Sequence, residues 1–267
     1  MNVQYYMAKG SENIKLYAFD LDGTLLNSNK KISLDMLNML GKIKEDNNIL
    51  VFATARPPRD TLKLIPKEFH NEYIICYNGG FIKKGKQIIK SNVIDKDQIE
   101  NIINLLIENN LNNICLEIED KLYSNFKVED YFGNTAYQIV DFKSMDKSKV
   151  SKIIVCDNNI SNKIINKLPK SCVGIITDDK SLLQIMESNV SKWNSISYIM
   201  DNLDISKEDV ISFGNDNNDI DMIKNSGIGV AMANSTEQLK NIADFITESN
   251  DKDGVLKYIR RNYEANR

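Results

Sequence analysis

Three short apolar runs open the chain: Ile14 to Leu21, Asn48 to Ala55 and Tyr73 to Asn78. Each has the length and bulk of a fully buried strand. Between the first two, Ser33 is placed as an N-cap, and Leu37, Leu40 and Ile43 follow at helical spacing to about Glu45. Between the second and third, Pro57 and Pro58 break the chain and Arg59 to Ile65 reads as a short helix. Strand, helix, strand, helix, strand predicts a parallel sheet with right-handed crossovers. The rhythm returns near Lys192. A helix from about Asn194 to Leu203 leads to a strand at Val210 to Gly214, and a short helix at Asp219 to Asn225 leads to a strand at Gly229 to Met232. A helix at Glu237 to Ile242, a strand at Phe245 to Thr247 and a helix at Gly254 to Asn262 close the chain.

The segment between these halves has a different rhythm. Phe81 to Ile94 reads as a hairpin around Lys84-Gly85-Lys86, and Asp95 to Asn109 as a helix with Ile99, Ile102, Ile103 and Leu106 on one face. Asn113 to Phe126 alternates like two antiparallel strands. Val150 to Cys156 reads as a strand, Ile160 to Leu168 as a helix, and Cys172 to Glu187 as two more strands. The expected fold class is therefore α/β, a Rossmann-like parallel-sheet core with an inserted α+β domain. The core is expected over residues 1–82 and 185–267, and the insert over 83–184, where it would serve as a lid.

At 267 residues the chain suffices for one large domain or two small ones. A net charge of -3 with no strongly basic block argues against nucleic acid as a partner. Met1 to Lys15 lacks the apolar core of a signal peptide, and no apolar run approaches bilayer length, so a cytoplasmic protein without membrane contact is expected. Cys76, Cys115, Cys156 and Cys172 form no Cys-x-x-Cys pair and sit in apolar stretches, as small hydrophobes do. The Asn-x-Ser/Thr triplets at Asn159, Asn189 and Asn234 carry no meaning without secretion.

Open parallel sheets bind ligands beyond the carboxyl ends of their strands. Here those ends read Phe19-Asp20-Leu21-Asp22-Gly23-Thr24, Ala53-Thr54-Ala55-Arg56, Tyr77-Asn78-Gly79-Gly80 and Gly214-Asn215-Asp216-Asn217-Asn218-Asp219. Carboxylates, a hydroxyl and amides are expected to converge there. Oxygens without sulfur or imidazole favour a hard cation, and magnesium takes one or two carboxylates plus water and phosphate oxygens. A carboxylate beside a metal and facing a phosphate is a nucleophile, and a second one two residues on serves as acid and then base. An EF-hand is excluded by spacing. The loop from Asp20 has Gly at its fourth position and Lys31 at its twelfth, and the loop from Asp216 has Asp221 at its sixth and Gly227 at its twelfth. No Gly-x4-Gly-Lys-Ser/Thr loop is present, and Gly227-Ile228-Gly229 is a tight turn rather than a dinucleotide fingerprint.

Asp20-Leu21-Asp22-Gly23-Thr24-Leu25-Leu26 resembles the first motif of the haloacid dehalogenase (HAD) superfamily. With the later motifs it is similar to the Cof-type branch (subfamily IIB, with an α+β C2-type cap), from about Leu16 to Ile259. The resemblance implies that Asp20 is nucleophile and metal ligand, and that Asp22 is general acid/base, its carbonyl also binding Mg2+. It implies that Thr54 holds the transferring phosphoryl group and that Lys192 neutralises charge around it. Asn215, Asp216 and Asp219 would complete the metal site with Asn218 in support, and Asn78 and Gly79 would lie beside substrate; Arg56, read from its own position, either reaches phosphate or braces the turn before the two prolines. Gly229 to Asn234 and Ser249 to Val255 are also typical of Cof-type proteins.

Three positions depart from that pattern. Asn215 stands where Asp is usual, Ala55 where Gly is common, and Trp193 where a Gly follows the lysine. The expected activity is a magnesium-dependent phosphatase acting on small phosphorylated metabolites, sugar-phosphate-like monoesters, through an aspartyl-phosphate. The alternatives are a phosphoryl-transferring mutase and a catalytically degenerate phospho-ligand-binding protein. The expected assembly is a monomer or weak homodimer.

Overall fold

The computed structural model describes residues 14–157, 160–177 and 181–263; the polar N-terminal stretch up to residue 13 and Asn159 lie outside them. Along the chain run β1 (Leu16–Asp20), α1 (Leu34–Glu45), β2 (Ile49–Ala53), α2 (Pro58–Leu64), β3 (Tyr73–Cys76), β4 (Phe81–Lys84) and β5 (Gln87–Ser91). Next come α3 (Lys96–Glu108), β6 (Ile114–Ile118), β7 (Lys121–Ser124), α4 (Glu129–Phe132), β8 (Tyr137–Ile139), β9 (Val150–Cys156), β10 (Cys172–Thr177) and β11 (Leu182–Glu187). The last part holds α5 (Lys192–Leu203), β12 (Val210–Gly214), α6 (Ile220–Asn225), β13 (Ile228–Ala231), α7 (Glu237–Lys240), β14 (Phe245–Ile246) and α8 (Gly254–Tyr263). The strands form an eight-stranded sheet, ordered β14-β13-β12-β1-β2-β3-β4-β5, and a six-stranded sheet, ordered β10-β11-β9-β6-β7-β8. An α/β fold with a parallel core, as the sequence predicts, is what the chain adopts. No helix among the described residues is long and apolar enough to cross a membrane.

The chain divides into two compact units, one with residues 1–19, 23–51 and 199–267, the other with residues 20–22 and 52–198. In the first, β1 pairs in parallel with β12, β12 with β13, and β13 with β14. Leu16 to Phe19 and Val210 to Gly214 are buried throughout, as expected of strands covered on both faces. Phe19 stacks on Phe213 at 5.3 Å, and Tyr258 of α8 meets Phe213 edge-on at 5.5 Å. Ser33 caps α1 by accepting from the Met36 N–H, and Met36, Met39, Leu40 and Ile43 form its buried stripe.

In the second unit, β3, β4 and β5 are successive antiparallel neighbours, so the hairpin at residues 81–91 extends the larger sheet. The six-stranded sheet starts at Ile114. On one of its faces Ile99, Ile102, Ile103 and Leu106 of α3 pack with Leu116, Ile153 and Ile185. A separate cluster holds Cys115, Ile154, Cys156 and Leu182. The helix expected over Ile160 to Leu168 does not form: among the described residues only Ile165–Lys167 winds, as one 3-10 turn. Ile160 and Ile164 are nonetheless buried in the α3 core, so a turn meets the need that their spacing expressed.

Candidate functional site

The site residues fall into two groups, one in each unit. The group in the second unit begins with Asp20 at the tip of β1. Lys192, the first residue of α5, reaches it: Nζ donates to Asp20 Oδ1 at 2.6 Å, with the two side chains 0% and 7% exposed. A lysine buried this deeply stays charged only beside a partner, and the carboxylate supplies it. Trp193, where a glycine is usual, sits half-buried in the first turn of α5 and leaves this pair formed.

Asp22 meets Arg56. Arg56 donates from Nε to Oδ2 at 2.6 Å and from Nη2 to Oδ1 at 2.9 Å, a bidentate fork that holds the carboxyl plane. The hydrogen bond to Asp22 keeps the guanidinium more firmly protonated, against an opposing effect of burial. Both groups are about one-third exposed, 34% each. The Arg56 side chain is thus engaged with Asp22.

Thr54 is 1% exposed and anchors a short backbone knot. Its Oγ1 accepts from the Arg56 N–H, its N–H donates to Ile75, and its carbonyl accepts from the Asn78 N–H. The Arg56 carbonyl accepts from the Tyr77 N–H. Tyr77, Asn78 and Gly79 have φ of 53°, 57° and 113°, a left-handed run that turns β3 back into β4. Gly79 is fixed there by close approach, because a Cβ would lie 2.2 Å from the Ser191 carbonyl oxygen. Its carbonyl accepts from Ser195 Oγ at 2.9 Å and Asn92 Nδ2 at 3.2 Å. Gly79 therefore ties the turn to the segment that carries Lys192.

The group in the first unit is the loop after β12. Register places Phe19 opposite Phe213, so the chain leaves β1 and β12 at the same end of adjacent parallel strands. Asn215 Oδ1 accepts from Thr24 Oγ1 at 3.0 Å, and a Cβ at Gly23 (φ 78°) would lie 2.5 Å from Asn215 Nδ2. Asp219 is fully buried, and its Oδ2 accepts from the Asn215 and Asp216 N–H groups at 2.9 and 3.0 Å. Asp216 and Asp219 form a capping box over the turn at Asn217–Asp219, in which Asn218 is half-buried. Asp219 shapes the loop that presents Asn215.

The late stretches brace the same segment. Asn234 Nδ2 donates to the Gly23 carbonyl at 2.8 Å, and its Oδ1 accepts from the Asn250 N–H. Asn250 Nδ2 donates to the Leu26 carbonyl, and Asp251 accepts from both N–H and Oγ of Ser28. Sequence reasoning did not reach Arg59, Glu117, Lys152 or Gln184 of the second unit, all of which are polar and packed near Thr54 to Arg56 or against one another. No spacing signal distinguishes them from ordinary surface charges.

Among the described residues no three His, Cys, Asp or Glu side chains cluster as a metal site. The donor chemistry still fits magnesium, which needs only one or two carboxylates beside carbonyl oxygens and water. The second unit carries two such carboxylates, Asp20 and Asp22.

The family profile of haloacid dehalogenase-like hydrolases matches residues 17–259. A 5-amino-6-(5-phospho-D-ribitylamino)uracil phosphatase of Bacillus subtilis, YitU, is 24% identical over 259 residues, which cover 92% of this chain and 96% of that one. A phosphoglycolate phosphatase of Archaeoglobus fulgidus is 28% identical over 254 residues, 92% of this chain and 96% of its own. Among solved structures, TM0651 from Thermotoga maritima superposes with a TM-score of 0.83 at 25% identity, over 93% of this chain and 97% of that one. The resemblance carried by the Asp20 motif thus extends along nearly the whole length, and the chain belongs to the haloacid dehalogenase-like hydrolases.

Proposed function

We propose that this protein is a magnesium-dependent phosphatase of small phosphorylated metabolites, acting through a phosphorylated Asp20. The observation that carries the reading is the buried contact of Lys192 with Asp20 at 2.6 Å, in the unit that also holds Thr54 and the Arg56–Asp22 pair. A carboxylate that meets a buried ammonium is fixed in place, as a nucleophile must be. The relatives named as phosphatases support the same reaction class. Their names also point to small monoesters, one a phosphorylated ribityl compound and one phosphoglycolate.

In the first step an Asp20 oxygen bonds to phosphorus, the bond from phosphorus to the leaving oxygen breaks, and Asp22 gives that oxygen its proton. In the second, water attacks the same phosphorus and passes a proton to Asp22; phosphate leaves and the Asp20 carboxylate returns. Asp22 as observed accepts from Arg56 with both oxygens, the arrangement of the ionised base of the second step. To act as the acid it takes up a proton and loosens its hold on Arg56. Lys192 and Thr54 stabilise charge on the equatorial oxygens, where most catalysis of phosphoryl transfer arises. Magnesium, held by Asp20, Asp22 and Asn215 with Asp216 and Asp219 nearby in the chain, would supply charge neutralisation on the phosphate. The insert would exclude water and read the leaving group. A cytoplasmic setting, as monomer or weak homodimer, suits such a substrate.

The test is a phosphate-release screen over a broad panel of phosphometabolites with magnesium, wild type beside Asp20→Asn. Release by the wild type and none by the variant is expected. No release from any compound would overturn the reading. Isomerised product without free phosphate would identify a mutase. Tight ligand binding without turnover, unchanged in Asp20→Asn, would identify a binding protein.

A further inference from the structure

Glu117 and Lys152 are 3% and 4% exposed and stand directly opposite each other on β6 and β9. Along β6 they keep company with Cys115, since alternate residues share a face, while Ile114, Leu116 and Ile118 pack with α3. An apolar residue would fill such a position at no electrostatic cost, so a buried ammonium needs an account of its contacts.

Those contacts lead to the phosphate-binding strand end. Lys152 Nζ donates to the Ala55 carbonyl at 3.2 Å and to Gln184 Oε1 at 3.0 Å, and lies 5.0 Å from the centre of the Tyr77 ring. Tyr77 Oη donates to Glu117 Oε2 at 3.2 Å. Arg59, at the start of α2, grips Glu117 through Nη1 and Nη2 at 2.8 and 2.7 Å, and Asp120 Oδ1 accepts from the Arg59 N–H at 2.9 Å. The groups facing Lys152 are therefore Glu117 from β6, Arg59 from α2, Cys76 and Tyr77 from the end of β3, and Gln184 from β11.

Three successive carbonyls, those of Thr54, Ala55 and Arg56, are each held by a donor. Asn78 and Tyr77 supply backbone N–H groups to the first and third. The middle one is held by a side chain 97 residues further on. Thr54 Oγ1 and the Arg56 fork project from the two peptides that flank it.

We propose that Lys152 is a positioning residue for phosphoryl transfer: through the Ala55 carbonyl it fixes the Thr54–Arg56 strand end that meets the phosphate and Asp22. This rests on the functional reading above. Lys152 touches no reacting atom, so its effect falls on the phosphoryl group common to all substrates and not on the leaving group.

The experiment compares wild type, Lys152→Met and Gln184→Leu with p-nitrophenyl phosphate and with a sugar phosphate turned over by the wild type. For Lys152→Met we expect kcat to fall about tenfold or more, with KM little changed, because misplacing a catalytic group by an ångström is costly. The factor should be the same for both esters. Gln184→Leu, which removes the other acceptor and leaves Ala55 in place, should keep kcat near the wild-type value. If Lys152→Met does not fold, Lys152→Gln decides by the same criteria. A folded variant with wild-type kcat overturns the inference, as does a loss that appears mainly in KM or differs between the two leaving groups. A wild type that releases no phosphate fails the functional reading itself, whereas an active wild type matched by the variant fails this inference alone.

Discussion

Replacing Lys192 with methionine removes the charge that Asp20 faces at 2.6 Å, in a place where the two side chains are 0% and 7% exposed. Water has little access to take over. Breaking a buried pair by deleting one partner costs about 3–5 kcal/mol, because the remaining charge is stranded. For a chain of this size each kcal/mol moves the melting midpoint by about 2–4 °C, so a fall of about 6–20 °C is expected in a thermal scan. Removing a donor aimed at developing charge also lowers kcat by about 100- to 1,000-fold. Combining Lys192→Met with Asp20→Asn removes both charges, and the midpoint should recover toward wild type although activity stays lost. The assay is scanning fluorimetry beside phosphate release, on the two single variants and the double. A Lys192→Met protein melting within about 2 °C of wild type and keeping most of its turnover would refute a compensated, buried nucleophile. A double variant no more stable than Lys192→Met would refute the pairing as the cause.

Gly79→Ala puts a Cβ 2.2 Å from the Ser191 carbonyl at a φ of 113°, so it should cost about 3–5 kcal/mol in urea unfolding, with activity lost alongside. Asn215→Asp keeps the acceptor for Thr24 Oγ1 and adds a negative charge, so the magnesium concentration for half-maximal activity should fall about three- to tenfold in a metal titration. Burial lowers the Lys152 ammonium from the ordinary lysine value of 10.5 to about 8, with Glu117 opposing the shift. The unfolded chain therefore binds more protons between those values. Lys152 destabilises the fold fully below pH 8, and this penalty fades as pH rises to 10.5. Urea midpoints should show wild type gaining about 3 kcal/mol relative to Lys152→Met across that window, and parallel curves would refute it.

The parts of this fold that were legible in sequence are those governed by local chemistry. Ser33 announced α1 because a hydroxyl before an apolar stripe has one favourable use, and it caps the helix as expected. Asp20 and Asp22 stood out because two carboxylates bracket a leucine at the end of an apolar strand, just before a glycine, and in the fold they meet Lys192 and Arg56 respectively. The loop at Asn215 showed its composition but not its division of labour: only the fold reveals that Asp219 spends an oxygen on two backbone N–H groups. The helix expected over Ile160 to Leu168 failed because two buried isoleucines four residues apart constrain spacing, not the hydrogen bonding between them. Residues 127–149 were assigned no element from sequence, and there the chain makes the four-residue α4 and three-residue β8.

Glu117 and Lys152 were hidden for a deeper reason. A strand such as Ile114-Cys115-Leu116-Glu117-Ile118 alternates, and alternation reads as one face on a core and one in water. That inference assumes that whatever covers the second face is solvent. Here the cover is Arg59, Tyr77 and the Ala55 carbonyl, contributed by segments far away in sequence. A polar strand face is therefore ambiguous between water and a second protein surface until topology is known. Hydrogen bonding resolves it afterwards: Arg59 meets Glu117 through Nη1 and Nη2, and Lys152 meets Gln184 and the Ala55 carbonyl, contacts that solvent-facing residues have no need to make. The same reasoning separates two of the buried lysines, Lys192 and Lys152. Lys192 is legible because a motif names its partner, whereas Lys152 becomes visible only when its burial has to be explained.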